Sequence, residues 1–237
     1  MSPGNTHHMM AVPGFTEARL TITGTEQLTP ALIGAVESLC ARVEAEADEP
    51  VVVLRLGLLS RDGEPGPPAA PAAIHLVSRW ERALRRLERA GAATFAIAEG
   101  WCGGTALEAL LSCDYRIGTP DLRLAPLMAS GEPWPGVIVH RLAGQLGTAQ
   151  VRRLVLFGEE LPAARALEVG LVDEITDDTA TALTAGIALA RRLSGPEVAI
   201  RRRLLLEAGS TSFEEALGVH LAACDRSLRR LQATAAP

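Results

Sequence analysis

Three features of the sequence predict an α/β fold. Between residues 15 and 125, apolar runs typical of buried β-strands alternate with segments whose apolar residues recur at helical spacing. Beyond Pro135 the pattern is almost entirely helical. With 237 residues and 48% hydrophobic content, the chain is long enough to bury a full core. We therefore expect an α/β core followed by a helical C-terminal region.

The N-terminal part begins with a predicted strand and a capped helix. Residues 15–23 alternate as a strand does, and they lead into a helix that Thr29 can cap, with Pro30 at the first helical position. Residues 51–57 have the continuous apolar character of a buried strand. Residues 61–73 contain four prolines, which no regular element tolerates, and are predicted to form a long loop.

The next predicted helix, residues 74–89, carries five arginines beside its apolar stripe, and Gly91 is placed to end it. Glu81 lies four residues before Arg85, a spacing that supports a solvated helix face. Contact of these arginines with a phosphate is the alternative interpretation.

The remaining elements follow from the same patterns. Short strands are predicted at residues 92–100, 115–118 and 122–125, and helices at residues 147–158, 162–170 and from about 179 to 231. Ser212 and Glu215 have the spacing of a capping box at the start of the last helix. We divide the chain into a disordered segment (1–14), the core (15–178), a helical region (179–232) and a frayed tail (233–237).

Composition excludes several classes of function. The sequence contains no lysine, which excludes Schiff-base chemistry, pyridoxal phosphate attachment and a P-loop lysine. The formal net charge of -5 disfavours a general nucleic-acid role. Local arginine clusters could still hold a phosphate, so a small anion is favoured over a polymer as partner. No secretion signal and no apolar stretch of membrane-spanning length can be recognised, so we expect a cytoplasmic protein with no membrane partner.

The cysteines and histidines show no metal-binding spacing. No C-x-x-C or H-E-x-x-H pattern occurs, so neither a metal nor a redox dithiol is predicted. The cysteines are interpreted as buried thiols: Cys40, Cys102, Cys113 and Cys224.

The stretch GWCGGTALEALLSCD, residues 100–114, is the candidate site. The N–H groups of Gly103, Gly104 and Thr105 are expected at a helix N-terminus after a strand, where they can hold an oxyanion. Glu108 in the same turn is a candidate acid or base. The alternative is structural, because Thr105 and Glu108 also match the S/T-x-x-E capping box, in which the carboxylate turns back onto the N–H of Thr105.

The segments AIAEGWCGGTALEALLSCDYRIG, PWPG, RLAGQLG and LFGEELPAARALEVGLVDEI together resemble the enoyl-CoA hydratase/isomerase (crotonase) family, well over residues 92–176 and in outline elsewhere. The resemblance implies a crotonase-like ββα spiral core with a C-terminal helical trimerisation region, and therefore a homotrimer or a hexamer. It also implies a CoA thioester as substrate and no further cofactor.

Carried over by position, the resemblance implies oxyanion amides at Gly104 and Thr105 and a catalytic glutamate at Glu108. The family's second glutamate falls on Met128, which can neither accept nor deliver a proton. Glu132 is the nearest acid that could replace it, the alternative being an exposed loop carboxylate.

Other parts of the pattern depart from the family or have structural interpretations. The family loop that gives the other oxyanion N–H is replaced by residues 61–73. Trp134 is interpreted as lining an acyl pocket or as a packed anchor. Asp114 is predicted to satisfy backbone groups near a strand start. The late arginines are interpreted as surface or subunit-contact charges, with pyrophosphate contact as the alternative: Arg191, Arg192, Arg201, Arg202 and Arg203.

Residues 78–124 most resemble the DpgB-type crotonase-like proteins of 3,5-dihydroxyphenylglycine formation, a part of antibiotic biosynthesis. This resemblance implies a lyase-type role beside a type III polyketide synthase, assisting cyclisation or dehydration of a CoA-bound polyketide to 3,5-dihydroxyphenylacetyl-CoA. A non-catalytic partner of the synthase and a generic enoyl-CoA hydratase/isomerase are the alternatives.

Overall fold

The computed structural model describes residues 17–24, 28–46, 51–57, 73–129, 131–192 and 197–235. The predicted disorder of residues 1–14 and nearly all of the predicted proline-rich loop lie outside these described residues.

The strands form one main sheet and two small ones. A five-stranded parallel sheet has the order β1-β2-β3-β5-β10, a three-stranded sheet the order β4-β6-β9, and β7 pairs with β8 as a hairpin. The strands are β1 (Glu17–Ile22), β2 (Val51–Leu56), β3 (Ala93–Ala98), β4 (Trp101–Gly103), β5 (Tyr115–Gly118), β6 (Arg123–Ala125), β7 (Met128–Ala129), β8 (Glu132–Pro133), β9 (Leu161–Pro162) and β10 (Glu174–Ile175).

The helices follow the predicted order closely. They are α1 (Pro30–Ala45), α2 (Ile74–Glu88), α3 (Gly104–Leu110), α4 (Ile138–Leu146), α5 (Thr148–Phe157), α6 (Ala163–Glu168), α7 (Thr179–Arg191), α8 (Glu197–Glu207) and α9 (Phe213–Ala235). Thr29 caps α1 by accepting a hydrogen bond from the N–H of Leu32, and the Ser212–Glu215 capping box at α9 is present as predicted. Within the described residues, no helix has both the length and the hydropathy that a bilayer span requires.

Both faces of the main sheet are buried, which explains the continuous apolar runs of β2 and β3. Val52 and Leu54 of β2 point into the larger core with α1, α2 and α3. Val51 and Val53 point to the opposite face, where they join a smaller core against α7. A parallel sheet covered by helices on both sides has no polar face, so its strands lack strict alternation.

Helices α1 and α2 are joined by ion pairs as well as by apolar contacts. Arg86 makes a bidentate contact with Glu44, and Arg79 lies 3.4 Å from Glu37. The arginine face of α2 is therefore partly directed at α1. The prediction of a solvated i,i+4 pair between Glu81 and Arg85 is wrong, because the Glu81 carboxylate contacts Arg141 of α4.

Two further expectations are wrong. Arg202 on α8 is buried and not a surface charge; it donates to Asp114 and to three backbone carbonyls. Cys224 is exposed, because α9 has no buried residue between positions 213 and 233, while Cys40, Cys102 and Cys113 are buried as predicted. Burial raises the pKa of the Cys40 thiol to about 11 and that of Cys113 to about 12.

Candidate active site

Strand β4 and helix α3 position the candidate site residues. The sequence predicts one strand running into the glycine pair, but β3 ends at Ala98 and a separate strand, β4, pairs with β6 in the second sheet. Helix α3 then starts at Gly104, and all seven of its residues are buried. The site therefore lies where the second sheet passes into the core of the fold.

Both glycines at this junction are required by geometry. Gly104 has φ +50°, and a Cβ there would lie 2.9 Å from the carbonyl oxygen of Gly24. A Cβ on Gly103 would lie 2.4 Å from the indole ring of Trp101. A side chain at either position would force the neighbouring backbone or ring to move, so the turn keeps its shape only with glycine.

Glu108 does not cap its own helix. The N-cap residue of α3 is Gly103, which has no side-chain hydrogen bond, and Thr105 lies inside the helix. The Glu108 carboxylate instead accepts a hydrogen bond from Trp80 Nε1 on α2, with Nε1 2.5 Å from Oε2. The carboxylate is thus bound to Trp80 and not to the amide of Thr105, contrary to the capping-box alternative.

Glu108 is buried, and both its protonated and its ionised forms are present at neutral pH. Its residue is 7% exposed. Burial raises the pKa of its carboxyl group to about 7, the Trp80 hydrogen bond and Arg141 lower the pKa, and Glu81 raises it. A carboxyl group with a pKa near neutrality is suited to both accepting and delivering a proton.

The second carboxylate oxygen faces the segment 134–136. Glu108 Oε1 lies 3.4 Å from the point that a Cβ on Gly136 would occupy, and Trp134 Cδ1 lies 3.0 Å from the same point. A side chain at position 136 would therefore meet both groups. The backbone N–H of Trp134 donates to the carbonyl oxygen of Leu127, 2.7 Å away. This bond holds the segment against Leu127, the residue before β7.

A buried arginine, Arg141, lies beside the site. Arg141 on α4 donates to Glu81 and Glu88 of α2, both at 2.7 Å, and Arg141 is 9% exposed. Arg85 also contacts Glu88, at 3.0 Å. These contacts join α2 to α4 and fix the two opposite charges, Glu81 and Arg141, that act on Glu108.

Met128, at the position of the family's second glutamate, and Glu132, its possible replacement and with Met128 and Trp134 a possible part of the acyl pocket, lie on the β7–β8 hairpin. Met128 pairs with Pro133, and its Sδ lies 3.0 Å from the position of a Cβ on Gly158. Glu132 is exposed. Among the described residues, neither one makes a hydrogen bond to Glu108, whose Oε1 lies beside the segment of Trp134 and Gly136.

Thr105 and Trp101 each bury a polar atom. Thr105 Oγ1 and Trp101 Nε1 have no hydrogen-bond partner in the part of the chain that is described. Such buried groups are uncommon, because each loses its hydration without compensation. They lie on either side of the Gly103–Gly104 turn.

Asp114 has the structural role that the sequence predicts. Its carboxylate accepts from the N–H and the hydroxyl of Thr94, each at 2.9 Å. Arg202 binds the same carboxylate through two nitrogens and also donates to the carbonyls of Glu88, Ala90 and Ala92. The pair fastens α8 to the end of α2 and the start of β3.

A separate cavity of about 430 Å³ lies at the C-terminal end of α3. Its lining includes Arg116, Arg141 and Arg202, whose guanidinium groups are bound to carboxylates, carbonyls or Gln145. These three guanidinium groups therefore bind other parts of the protein and have a structural role. Across the described residues, no group of three or more histidine, cysteine, aspartate or glutamate side chains is arranged to hold a metal ion.

Sequence reasoning missed Trp80 and Arg141 as neighbours of Glu108. Trp80 occupies an apolar position of an amphipathic helix, which gives no signal that its N–H reaches a carboxylate 28 positions away. Arg141 lies in RLAGQLG, a segment used only for the family resemblance. Contacts between residues of different helices depend on how the helices pack, and a local sequence pattern does not predict them.

Comparison with a relative decides the family. A protein named enoyl-CoA-hydratase from Amycolatopsis orientalis is 46% identical over 215 residues, which cover 90% of this chain and 97% of that protein. The chain belongs to the enoyl-CoA hydratase/isomerase (crotonase) family. No family model matches the chain.

Solved structures agree with this family in fold. An enoyl-CoA hydratase/isomerase from Cupriavidus metallidurans superposes with a TM-score of 0.75 at 17% identity, covering 96% of this chain and 90% of that one. An enoyl-CoA hydratase from Bacillus anthracis gives a TM-score of 0.71 at 20% identity, with coverages of 95% and 92%. At these identities the likeness concerns the fold alone, and it confirms the predicted α/β crotonase-like architecture.

Proposed function

We propose that this crotonase-family protein binds an acyl-CoA and transfers a proton on it with one carboxylate, that of Glu108. The observation that carries the proposal is the position of that carboxylate: buried, with a pKa near 7, and with Oε1 directed at the Trp134–Gly136 segment. A buried group of this pKa is present in both protonation states at neutral pH, as a general acid or base requires.

The proposed thioester site is the first turn of α3. The N–H groups of Gly104 and Thr105 have no acceptor inside the helix, and the Glu108 side chain is bound elsewhere, to Trp80. These amides would polarise the thioester carbonyl and stabilise an enolate oxygen, an effect of about 3 kcal/mol per donor at such sites. Met128, Glu132 and Trp134 are proposed to border the acyl pocket.

The proposed reaction is one that a single carboxylate can complete. Hydration needs one group to activate water and another to deliver a proton, and Met128 occupies the position of the second group. Cyclisation and dehydration of a poly-ketone chain proceed to an aromatic ring once enolisation has begun. We therefore propose assistance to a type III polyketide synthase that forms 3,5-dihydroxyphenylacetyl-CoA, with the CoA thioester as substrate and no other cofactor.

Two other functions remain as alternatives with their own support. The name of the Amycolatopsis relative favours a generic enoyl-CoA hydratase/isomerase. The missing second carboxylate favours a non-catalytic partner of the synthase. Hydration of crotonyl-CoA without any synthase would support the first alternative, and synthase binding without acyl-CoA affinity would support the second.

We further propose that α9 assembles the chain into a trimer or hexamer. Phe213, Leu217, Leu221 and Leu228 recur at helical spacing on one side of α9, and their exposed fractions lie between 42% and 73%. An apolar helix face of this length is costly in water, so it is expected to pack against another helix. We call these four residues the apolar stripe of α9.

The experiment that tests the proposed function combines the protein with the synthase and malonyl-CoA. Glu108→Gln keeps the size of the side chain and removes its acid-base capacity, and 3,5-dihydroxyphenylacetyl-CoA should fall by about 100-fold or more. Glu168→Gln is the matched control, because Glu168 is an exposed glutamate of α6 paired with Arg165. Unchanged product with Glu108→Gln would exclude the proposed role of Glu108.

A further inference from the structure

Trp80 contacts the proposed base directly. Its side chain is 1% exposed, and its Nε1 donates to Glu108 Oε2. An indole N–H is a donor only, so its buried partner has to be an acceptor. Trp80 belongs to α2 and Glu108 to α3, so the bond also fixes these two helices relative to one another at the site.

We propose that Trp80 is a positioning residue, which holds Oε2 of Glu108 and so makes Oε1, beside Gly136 and Trp134, the oxygen that accepts and delivers the proton. This inference rests on the proposed function of Glu108. Trp80 itself neither gains nor loses a proton.

The two oxygens become inequivalent for a chemical reason. When Glu108 is protonated, its carbonyl oxygen is the better acceptor and remains with the indole N–H, so the hydroxyl oxygen is Oε1. When Glu108 is ionised, Trp80 still binds Oε2 and leaves the lone pairs of Oε1 available. One proton therefore enters and leaves at Oε1, and the hydrogen bond to Trp80 persists through the cycle.

The surrounding charges do not replace this hydrogen bond. Glu81 of α2 raises the pKa of Glu108, and Arg141 of α4 lowers it. These two groups are bound to each other at 2.7 Å, so their fields partly cancel at the carboxylate. The segment 134–136 carries no titratable group. Trp80 is thus the direct donor that stabilises the ionised form.

A substitution tests the hydrogen bond through the titration of Glu108. Trp80→Phe keeps an aromatic ring and removes the N–H, so the pKa of Glu108, followed by NMR of ¹³C-labelled glutamate, should rise by about one to two pH units. Trp101→Phe is the matched control for this titration, because Trp101 Nε1 has no partner among the described residues. A Glu108 pKa that stays the same in Trp80→Phe would overturn the proposal.

A second measurement needs no change at Trp80. The chain has three tryptophans, so the indole N–H resonances of the ¹⁵N-labelled protein can be followed separately. The resonance of Trp80 should shift with a midpoint near pH 7 and should lose this transition in Glu108→Gln. A Trp80 resonance that does not move in the wild-type protein would contradict the bond.

These readouts separate the two proposals. If Glu108 is the base, the pH at half-maximal turnover should rise in Trp80→Phe together with the pKa from NMR. If Trp80→Phe raises the Glu108 pKa while Glu108→Gln retains full product formation, the proposed function is wrong and the positioning hydrogen bond is confirmed. If Glu108→Gln abolishes product but Trp80→Phe leaves the Glu108 pKa unchanged, only the positioning role of Trp80 is wrong.

Discussion

Glu108 is the residue on which the proposed chemistry depends, and its burial has a measurable effect on stability. Its folded-state pKa is about 7, against 4.5 for an unperturbed glutamate. Between these values the folded protein holds a proton that the unfolded chain has lost. The free energy of unfolding therefore falls as pH rises from about 4.5 to about 7, and the loss is complete above the folded-state pKa.

Glu108→Gln removes this titration. The stability of the variant relative to wild type should therefore be greater at neutral pH than at acid pH. The interval between the two pKa values corresponds to about 3 kcal/mol, so the difference in unfolding free energy between Glu108→Gln and wild type should grow by roughly that amount from pH 4.5 to pH 7. Urea unfolding at a series of pH values measures it. A constant difference across the series would show that the Glu108 pKa is not raised.

Gly104 is the second residue that determines the site. Gly104→Ala places a Cβ at φ +50° and 2.9 Å from the Gly24 carbonyl oxygen, so we expect a loss of about 1–3 kcal/mol in unfolding free energy. Gly144→Ala in α4 meets nothing within 4 Å and should be neutral or stabilising by up to about 1 kcal/mol. Equal stability of the two variants would contradict the strained turn.

Among the elements, α8 is joined to the core through the buried side chain of Arg202. Arg202 fills the gap between α8, the end of α2 and the start of β3, where its guanidinium meets Asp114 and three carbonyls. An ion pair gives little net energy on its own, and Asp114 is partly exposed and keeps its hydrogen bonds from Thr94. Removing Arg202 does, however, leave the buried carbonyls of Glu88, Ala90 and Ala92 without this donor.

Arg202→Met should therefore destabilise the protein by about 2–4 kcal/mol, mainly through the lost hydrogen bonds to the three carbonyls. The neighbouring exposed Arg203, which pairs with Glu207 one helical turn away, gives the matched control. Arg203→Met should change stability by about 0.5 kcal/mol or less. Thermal unfolding of both variants compares them directly, and similar melting temperatures would argue against the structural role of Arg202.

Elements also show which parts of the fold a sequence can predict. Thr29, Pro30 and the Ser212–Glu215 box define helix starts through contacts of three or four residues, and these predictions are confirmed. The Trp80–Glu108 and Arg202–Asp114 bonds join residues 28 and 88 positions apart. Local periodicity contains no information about such pairs. The sequence therefore predicts surface or subunit-contact arginines on α8 and leaves both the acid–base role and the capping role of Glu108 open.

At the scale of the whole molecule, the family follows from the sequence because several short motifs occur together in the correct order. The site follows less completely. The segment that replaces the family's first oxyanion loop has no local pattern from which a donor could be assigned, and no local pattern indicates which acid, if any, replaces the carboxylate absent at Met128.

The apolar stripe of α9 makes a prediction about assembly. We expect light scattering to give a mass of three or six chains of 25.0 kDa, and Leu228→Asp should reduce that mass by placing a charge within the proposed contact. Arg226→Asp lies on the opposite side of α9 by helical spacing and should keep the assembly. A wild-type protein of one-chain mass would contradict the proposed assembly.

The proposed proton transfer can be measured without knowledge of the natural acyl group. In deuterated water, the protein should exchange the α-protons of phenylacetyl-CoA, at a rate that rises with pH through a midpoint near 7 as Glu108 ionises. Glu108→Gln should lower this rate by about 100-fold or more. An equal exchange rate in the wild-type protein and in Glu108→Gln would show that another group, and not Glu108, moves the proton.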